Sequence, residues 1–227
     1  MRREAAVKLD AKVIAQTALD LLDEAGLDGL TMRKVAGALN VQAPALYWHV
    51  KNKRELLDAM AEHVFIAAVD GVEAPRQGEP WQDWLIAMAQ RLRRSMLRYR
   101  DGAKVLAGTF ISDETMWRTV ELTLRTLEDA GFEPPAAGRV FPIILHYTTG
   151  FAIEEQARTG VEYSETPYDP DSLGRLVDAG RYPRTAGLVA DMATADTDVE
   201  FEYGLRAILA GIEAIERPGT QRVATQT

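Results

Sequence analysis

Apolar residues recur at intervals of three and four along most of the chain, which predicts α-helices rather than strands. Asp10 is a candidate N-cap for the first helix, and Gly26 is expected to end it in a left-handed conformation. Helices are predicted over residues 10–26, 31–39, 43–49, 52–69, 80–100, 112–131, 134–159, 172–192 and 199–217. Residues 71–80 and 159–171 lack this periodicity and predict loops. The fold class is therefore predicted to be all-α.

Two of the predicted helices are short and closely spaced. The first begins at the candidate N-cap Thr31, Asn40 and Val41 follow it as a tight break, and Pro44 lies in the first turn of the next helix. Asn52 then caps a longer helix, with Glu55 placed for a reciprocal capping bond. Two short helices in this arrangement predict a helix-turn-helix, whose second helix enters the major groove of DNA.

Polar and aromatic side chains cluster just after the start of that second helix. This stretch supplies hydroxyl, indole, imidazole and ammonium groups, all of which can donate hydrogen bonds to phosphate oxygens. The residues are Tyr47, Trp48, His49, Lys51 and Lys53. Tyr47 and Trp48 could instead be core aromatics, and part of one ring is expected to be so.

The net charge of -8 argues against nucleic-acid binding, but the charge is unevenly distributed along the chain. Residues 1–54 hold nine Lys and Arg against six Asp and Glu, a balance of +3. The remainder of the chain holds 17 against 28, a balance of -11. A small DNA-reading head on an acidic body has this asymmetry, although solvated surface charge explains it equally well.

Other bulk properties narrow the class of protein. The chain has no cysteine, which excludes disulfides and thiolate metal sites. It has no apolar run of the roughly 20 residues that cross a bilayer and no apolar signal core, so we expect a cytoplasmic protein without membrane contact. Expected domains are a DNA-binding head at 1–70, a ligand-binding and dimerisation body at 71–217, and a disordered tail at 218–227.

Several runs of residues resemble the TetR family of bacterial regulators, in particular its tetracycline-repressor branch. The run LTMRKVAGALNVQAPALYWHVKNKRELLDAMA is similar to its DNA-binding domain. WQDWL, RDGAKV and FEYGLRAILAGIEA, with His146, Gly150, Glu154 and Gln156 between the last two, are similar to its regulatory domain in the same order. The resemblance implies a homodimer on a palindromic operator, joined by the helix carrying His146 and the last helix. Gly150, Gly204 and Gly211 permit close helix approach, with intrachain packing as the alternative.

The resemblance also implies roles for residues of the head. Base contacts are expected from Arg33 and from the start of the recognition helix, at Gln42, Ala43, Pro44 and Ala45. Contacts with phosphates or thymine methyls are expected from Thr31, Tyr47, Trp48, His49 and Lys53. The tetracycline repressors have a glutamine at the position of Ala43 and a threonine at that of Ala45, so a different operator is expected.

The body departs from the family pattern at the drug site. Leu106 stands where the resemblance implies a histidine that binds the drug's magnesium ion, and Phe110 stands where an arginine is expected. Removing the imidazole leaves too few hard ligands, so we predict no metal and no cofactor. The predicted apolar pocket is lined by Val69, Met88, Leu92, Leu106, Thr109, Phe110, Met116, Leu122 and His146. Glu154 is expected either to contact the ligand or to support the structure around it.

The expected function is a repressor that leaves its operator when a hydrophobic aromatic or polyketide-like molecule binds, controlling an efflux or resistance gene. A transcriptional activator and a ligand-independent architectural DNA-binding protein are the alternatives. An enzyme is disfavoured, because the sequence has no nucleophile elbow, phosphate-binding glycine loop or zinc helix motif.

Overall fold

A computed structural model describes residues 9–159, 174–175, 177–194 and 196–216. Within them the chain is helical, without strands, which confirms the predicted fold class. The helices are α1 (Ala11–Asp20), α2 (Leu22–Gly29), α3 (Met32–Ala38), α4 (Ala43–Tyr47), α5 (Lys53–Val69), α6 (Trp81–Leu97), α7 (Gly102–Leu106), α8 (Glu114–Asp129), α9 (Pro134–Thr159), α10 (Pro183–Thr194) and α11 (Thr197–Glu216). Most of the loop predicted at 159–171, and the tail predicted at 218–227, lie outside the described residues.

Three predicted N-caps hold the helices of the head. The side chains of Asp10, Thr31 and Asn52 each accept a hydrogen bond from the backbone N–H three residues later, at 2.9, 3.2 and 2.9 Å. One detail differs, because Glu55 Oε2 accepts from the N–H of Lys51 at 2.8 Å and the expected bond to Asn52 is not formed. The carboxylate therefore binds the residue before the cap.

Gly26 is the point at which the first helical run breaks. The backbone stays helical through Leu21 into α2 and then changes direction at Gly26, where φ is +61°. A Cβ added there would lie 3.2 Å from Arg100 Nη2, in the turn between α6 and α7. The predicted positive φ is confirmed, and it lies where the head meets the body.

α5 connects the head to the body through one continuous apolar core. Its residues Leu56, Met60, Val64 and Phe65 are buried together with side chains of α1, α3, α6 and α7. A second core joins α6, α9 and α11 around Phe201, whose ring stacks on Tyr147 at 5.5 Å. The domain boundary near residue 70 stays a prediction.

A buried arginine ties three helices of the body together. Arg93 on α6 donates from Nε and Nη2 to the two carboxylate oxygens of Glu155 on α9, at 2.7 Å each. Its Nη1 donates to Asp198 on α11, and its guanidinium lies 5.0 Å from the centre of the Phe201 ring. This paired arrangement satisfies the buried charge.

Two of the three glycines expected at a subunit interface leave open space on the surface of α9 and α11. A Cβ added at Gly150 or Gly211 would meet no atom within 4 Å. At Gly204, however, it would lie 2.0 Å from the Tyr147 hydroxyl of the same chain. For Gly204 the intrachain alternative therefore explains the residue.

Candidate DNA interface and ligand cavity

The packing of α3 against α4 determines which residues of the head face outward. Val35 and Ala36 on α3 and Leu46 on α4 are buried, which holds the two helices together. Between them Asn40 takes a positive φ of 53°, a conformation that asparagine tolerates better than most residues. The N–H of Val41 then donates to the Ala36 carbonyl at 3.0 Å and fixes the turn.

The side chains around α4 form the most exposed aromatic surface of the head. Trp48 is 89% exposed and Tyr47 is 45% exposed, so Trp48 is not a core aromatic and Tyr47 is partly covered. The indole is therefore accessible to a binding partner of the head. Of the other predicted DNA contacts, Ala43 and Ala45 are half-buried, and the exposed ones are Thr31, Arg33, Gln42, Pro44, His49 and Lys53.

Lys53 has an internal partner in this conformation. Its ammonium donates to the carbonyl of Leu27 at 3.2 Å, although the side chain is exposed. The ammonium has three N–H donors, so it can contact a phosphate oxygen while this bond is kept. Lys34 beside Arg33 is also exposed and adds positive charge to this face, in addition to the predicted DNA contacts.

A small apolar cavity lies between α5, α6, α8 and α9. Its volume is about 20 Å³, and its side chains include Phe65, Val69, Leu85, Met88, Leu92, Thr119, Phe141, Ile144, Leu145 and Thr148. Val69, Met88 and Leu92 were predicted from the sequence. Thr119 and Thr148 were not, and their hydroxyls donate to carbonyls one turn earlier in their own helices, at 2.7 Å each.

The other predicted pocket residues do not line this cavity. Leu106 is buried in the core shared by head and body, Met116 packs against that core and Leu122 against the second one. Thr109 Oγ1 donates to the Val105 carbonyl at 2.7 Å. Phe110 is 65% exposed, and His146 and Glu154 lie on the exposed face of α9. Their roles in a ligand site stay predictions.

The donor set of the body does not fit the magnesium ion that the family resemblance implies. Leu106 offers no ligand atom, and the cavity lining has no histidine or carboxylate. Across the part of the chain that the structure describes, no three His, Cys, Asp or Glu side chains converge as a metal site would require.

The head is joined to the body at the turn between α6 and α7. Asp101 Oδ2 accepts the N–H of Leu27 at 3.0 Å, and Asp23 Oδ1 accepts the N–H of Arg100 at 3.1 Å. Burial would raise the pKa of Asp101, but the Lys104 ammonium and the Leu27 N–H hold that pKa below its usual range. The carboxylate is therefore charged at neutral pH, the form that pairs with Lys104 and accepts from the Leu27 N–H.

Comparisons with known proteins cover most of the chain. The profile described as "Bacterial regulatory proteins, tetR family" matches residues 14–60, and "Tetracyclin repressor-like, C-terminal domain" matches residues 74–215. The class D tetracycline repressor protein of Escherichia coli is 37% identical over 206 residues, which cover 91% of this chain and 90% of that protein.

Two solved structures are similar in fold and sequence. A possible TetR family transcriptional regulator from Streptomyces coelicolor A3(2) superposes with a TM-score of 0.81 at 38% identity, covering 91% of this chain and 100% of the other. ActR from Streptomyces coelicolor, in complex with actinorhodin, superposes with a TM-score of 0.77 at 30% identity, covering 93% and 98%. No helix in the described ranges is long and apolar enough to span a membrane.

Proposed function

The chain belongs to the TetR family of bacterial regulatory proteins and is a ligand-responsive DNA-binding regulator, and we propose that it is a repressor which hydrophobic molecules release from a palindromic operator. The exposed surface around α4, with Trp48 at its centre, carries the DNA-binding part of this proposal. A major-groove reader needs such a surface, because phosphate contacts from aromatic and basic groups position the helix while its first residues meet base edges.

Specificity is proposed to come from a small set of contacts. Arg33 can donate two hydrogen bonds to a guanine, and such a pair favours guanine over other bases by about 1–3 kcal/mol. Ala43 and Ala45 have no side-chain donor and are proposed to contact thymine methyls. The operator is therefore expected to differ from those of the tetracycline repressors.

Dimerisation is proposed through the open faces of α9 and α11. Gly150 and Gly211 leave room for another helix, and Ile143 on α9 and Ile215 on α11 are exposed apolar side chains. Two such helices from each subunit would bury these faces as a four-helix bundle. A two-fold dimer presents two recognition helices to successive major grooves.

Ligand response is proposed to pass along α5. Its N-terminus follows α4 closely, and Val69 at its C-terminal end lines the apolar cavity. Arg54 near its start donates to the Gly108 carbonyl at 3.2 Å, a second tie between head and body. A molecule that shifts the far end of this helix changes the position of the head.

The ligand is proposed to be an aromatic or polyketide-like molecule that binds without a metal. ActR, of similar structure, has been solved with actinorhodin. The gene under control is proposed to encode efflux or resistance, with the regulator acting in the cytoplasm and without catalysis.

The test is a titration of hydrophobic antibiotics and metabolites into the protein bound to labelled DNA from upstream of its own gene. Fluorescence anisotropy should fall when a releasing compound binds. An activator or an architectural protein is favoured instead if specific DNA binding is strong and no compound changes it.

A further inference from the structure

Met88 on α6 lies at both the apolar cavity and a second space on the outside of the body. This outer groove has a volume of about 290 Å³ and lies between residues 71–79, which join α5 to α6, and the α6 side chains Trp84, Ala87 and Arg91. Met88 lines both spaces. The cavity and the groove therefore share this residue in their walls.

The cavity alone is too small for the ligand of a regulator. About 20 Å³ holds about one water molecule, whereas small-molecule sites measure roughly 300–1,000 Å³. Methionine is unbranched and turns about three bonds, so Met88 is the most adaptable side chain of the lining. Its rotation would join the two spaces into one of about the smallest size that accommodates such ligands.

The two spaces differ in chemistry. The cavity wall is apolar, while the groove carries the charged side chains of Glu73, Arg76, Glu79 and Arg91. Trp84 Nε1 donates to the Glu73 carbonyl at 2.9 Å, and Glu79 accepts the N–H of Arg76 at 2.8 Å, which fixes the rim. The Arg76 side chain is exposed and its guanidinium can only donate hydrogen bonds.

Given the ligand-responsive function proposed above, we propose that the ligand lies across Met88. A flat apolar part occupies the cavity, and a hydrogen-bond-accepting polar end occupies the groove beside Arg76. The class is thus an amphipathic aromatic molecule with a hydroxyl, carbonyl or acidic group at one end.

This position places the ligand against the C-terminal turn of α5. Arg91 donates from Nε to the Ala68 carbonyl at 2.7 Å and from Nη2 to the Asp70 carbonyl, so one wall of the groove holds the end of that helix. Val69 between them lines the cavity. An occupant of both spaces therefore acts directly on the helix that leads back to α4.

The probe for this site is 8-anilinonaphthalene-1-sulfonate, which has fused aromatic rings and an accepting sulfonate. Its fluorescence is titrated against the full chain without DNA. Ala87→Phe fills the groove from an exposed position of α6, and Ala67→Phe, at an exposed position of α5 outside the groove lining, is the matched control. We expect Ala87→Phe to weaken binding about tenfold and the control to change it less than about twofold.

A second variant tests Met88 as the barrier. Met88→Ile keeps an apolar side chain of similar size but stiffens it at Cβ. Stopped-flow fluorescence should show association slowed about tenfold, since a β-branched side chain has few rotamers. Equal affinity of Ala87→Phe and the unmodified chain, an unchanged association rate in Met88→Ile, or no probe binding to the unmodified chain would overturn the proposed site.

The outcome is separable from that of the proposed function, because binding is measured without DNA. If a compound releases DNA equally well from the unmodified chain and from Ala87→Phe, the regulator proposal stands and this site is wrong. If Ala87→Phe weakens binding of the probe while no compound releases DNA, the site stands and the proposed repressor function fails.

Discussion

Asp101→Asn tests the joint between head and body. The carboxylate accepts the N–H of Leu27 and lies 2.7 Å from the Lys104 ammonium, with side chains that are 15% and 48% exposed. Losing a partly exposed ion pair costs about 1 kcal/mol, and replacing a charged acceptor by a neutral one costs about another. We expect the free energy of unfolding to fall by about 2 kcal/mol, and Tm by about 6 °C.

Two further substitutions distinguish the cost of losing the carboxylate's contacts from the cost of backbone strain at this position. Asp101 has φ +58°, so Asp101→Gly loses the same contacts in a backbone that glycine accepts readily. Asp101→Ala keeps the Cβ that Asp101 already has in the left-handed region, so it should be about 1 kcal/mol less stable than Asp101→Gly. The difference between Ala and Gly therefore measures strain, and the difference between Ala and the unmodified chain measures the contacts.

The assay is urea unfolding monitored by circular dichroism from pH 3 to pH 7. The pKa of Asp101 is lowered in the folded state, so its contribution is complete above about pH 4 and disappears as the pH falls through that lowered value. The unmodified chain and Asp101→Asn should therefore converge in stability at low pH. Equal stability at pH 7, or a difference that persists unchanged at the lowest pH, would show that the Asp101 carboxylate does not stabilise this joint.

Three further predictions concern the body. Gly204→Ala should destabilise the chain by about 2 kcal/mol in urea unfolding, because the added methyl displaces the Tyr147 hydroxyl. Gly138→Ala is the control and should not destabilise the chain, because a Cβ added there meets no atom within 4 Å. Arg93→Met should cost about 3 kcal/mol in the same assay, since it removes the two arginine hydrogen bonds from the half-buried Glu155 carboxylate. Millimolar magnesium should leave the affinity of any releasing compound unchanged in calorimetric titrations; a strong dependence would contradict a metal-free site.

Local features of the fold were predictable from the sequence. Asp10, Thr31 and Asn52 cap their helices because a short polar side chain and the N–H three residues later are close whatever the tertiary structure. Gly26 was recognisable for a similar reason, since few other residues accept its backbone conformation. The prediction for Glu55 named the wrong donor. Its flexible carboxylate accepts from the N–H of Lys51 instead of the neighbouring N–H of Asn52.

The cavity was predictable only in part. Val69, Met88 and Leu92 were identified from the family resemblance, and all three line the cavity. Phe141, Leu145 and Thr148 come from α9, and their spacing of four and three was the available signal; which face of α9 meets α6 depends on long-range packing. The exposed position of Phe110 is likewise a property of the assembled body.

Selection from a pool of random DNA duplexes shows whether two symmetric heads read a palindrome. Purified protein is used to enrich bound duplexes over several rounds, and the products are sequenced. We expect inverted half-sites whose centres lie about 34–36 Å apart, one turn of the double helix. Enrichment of single or asymmetric sites, or no enrichment over the starting pool, would contradict this expectation.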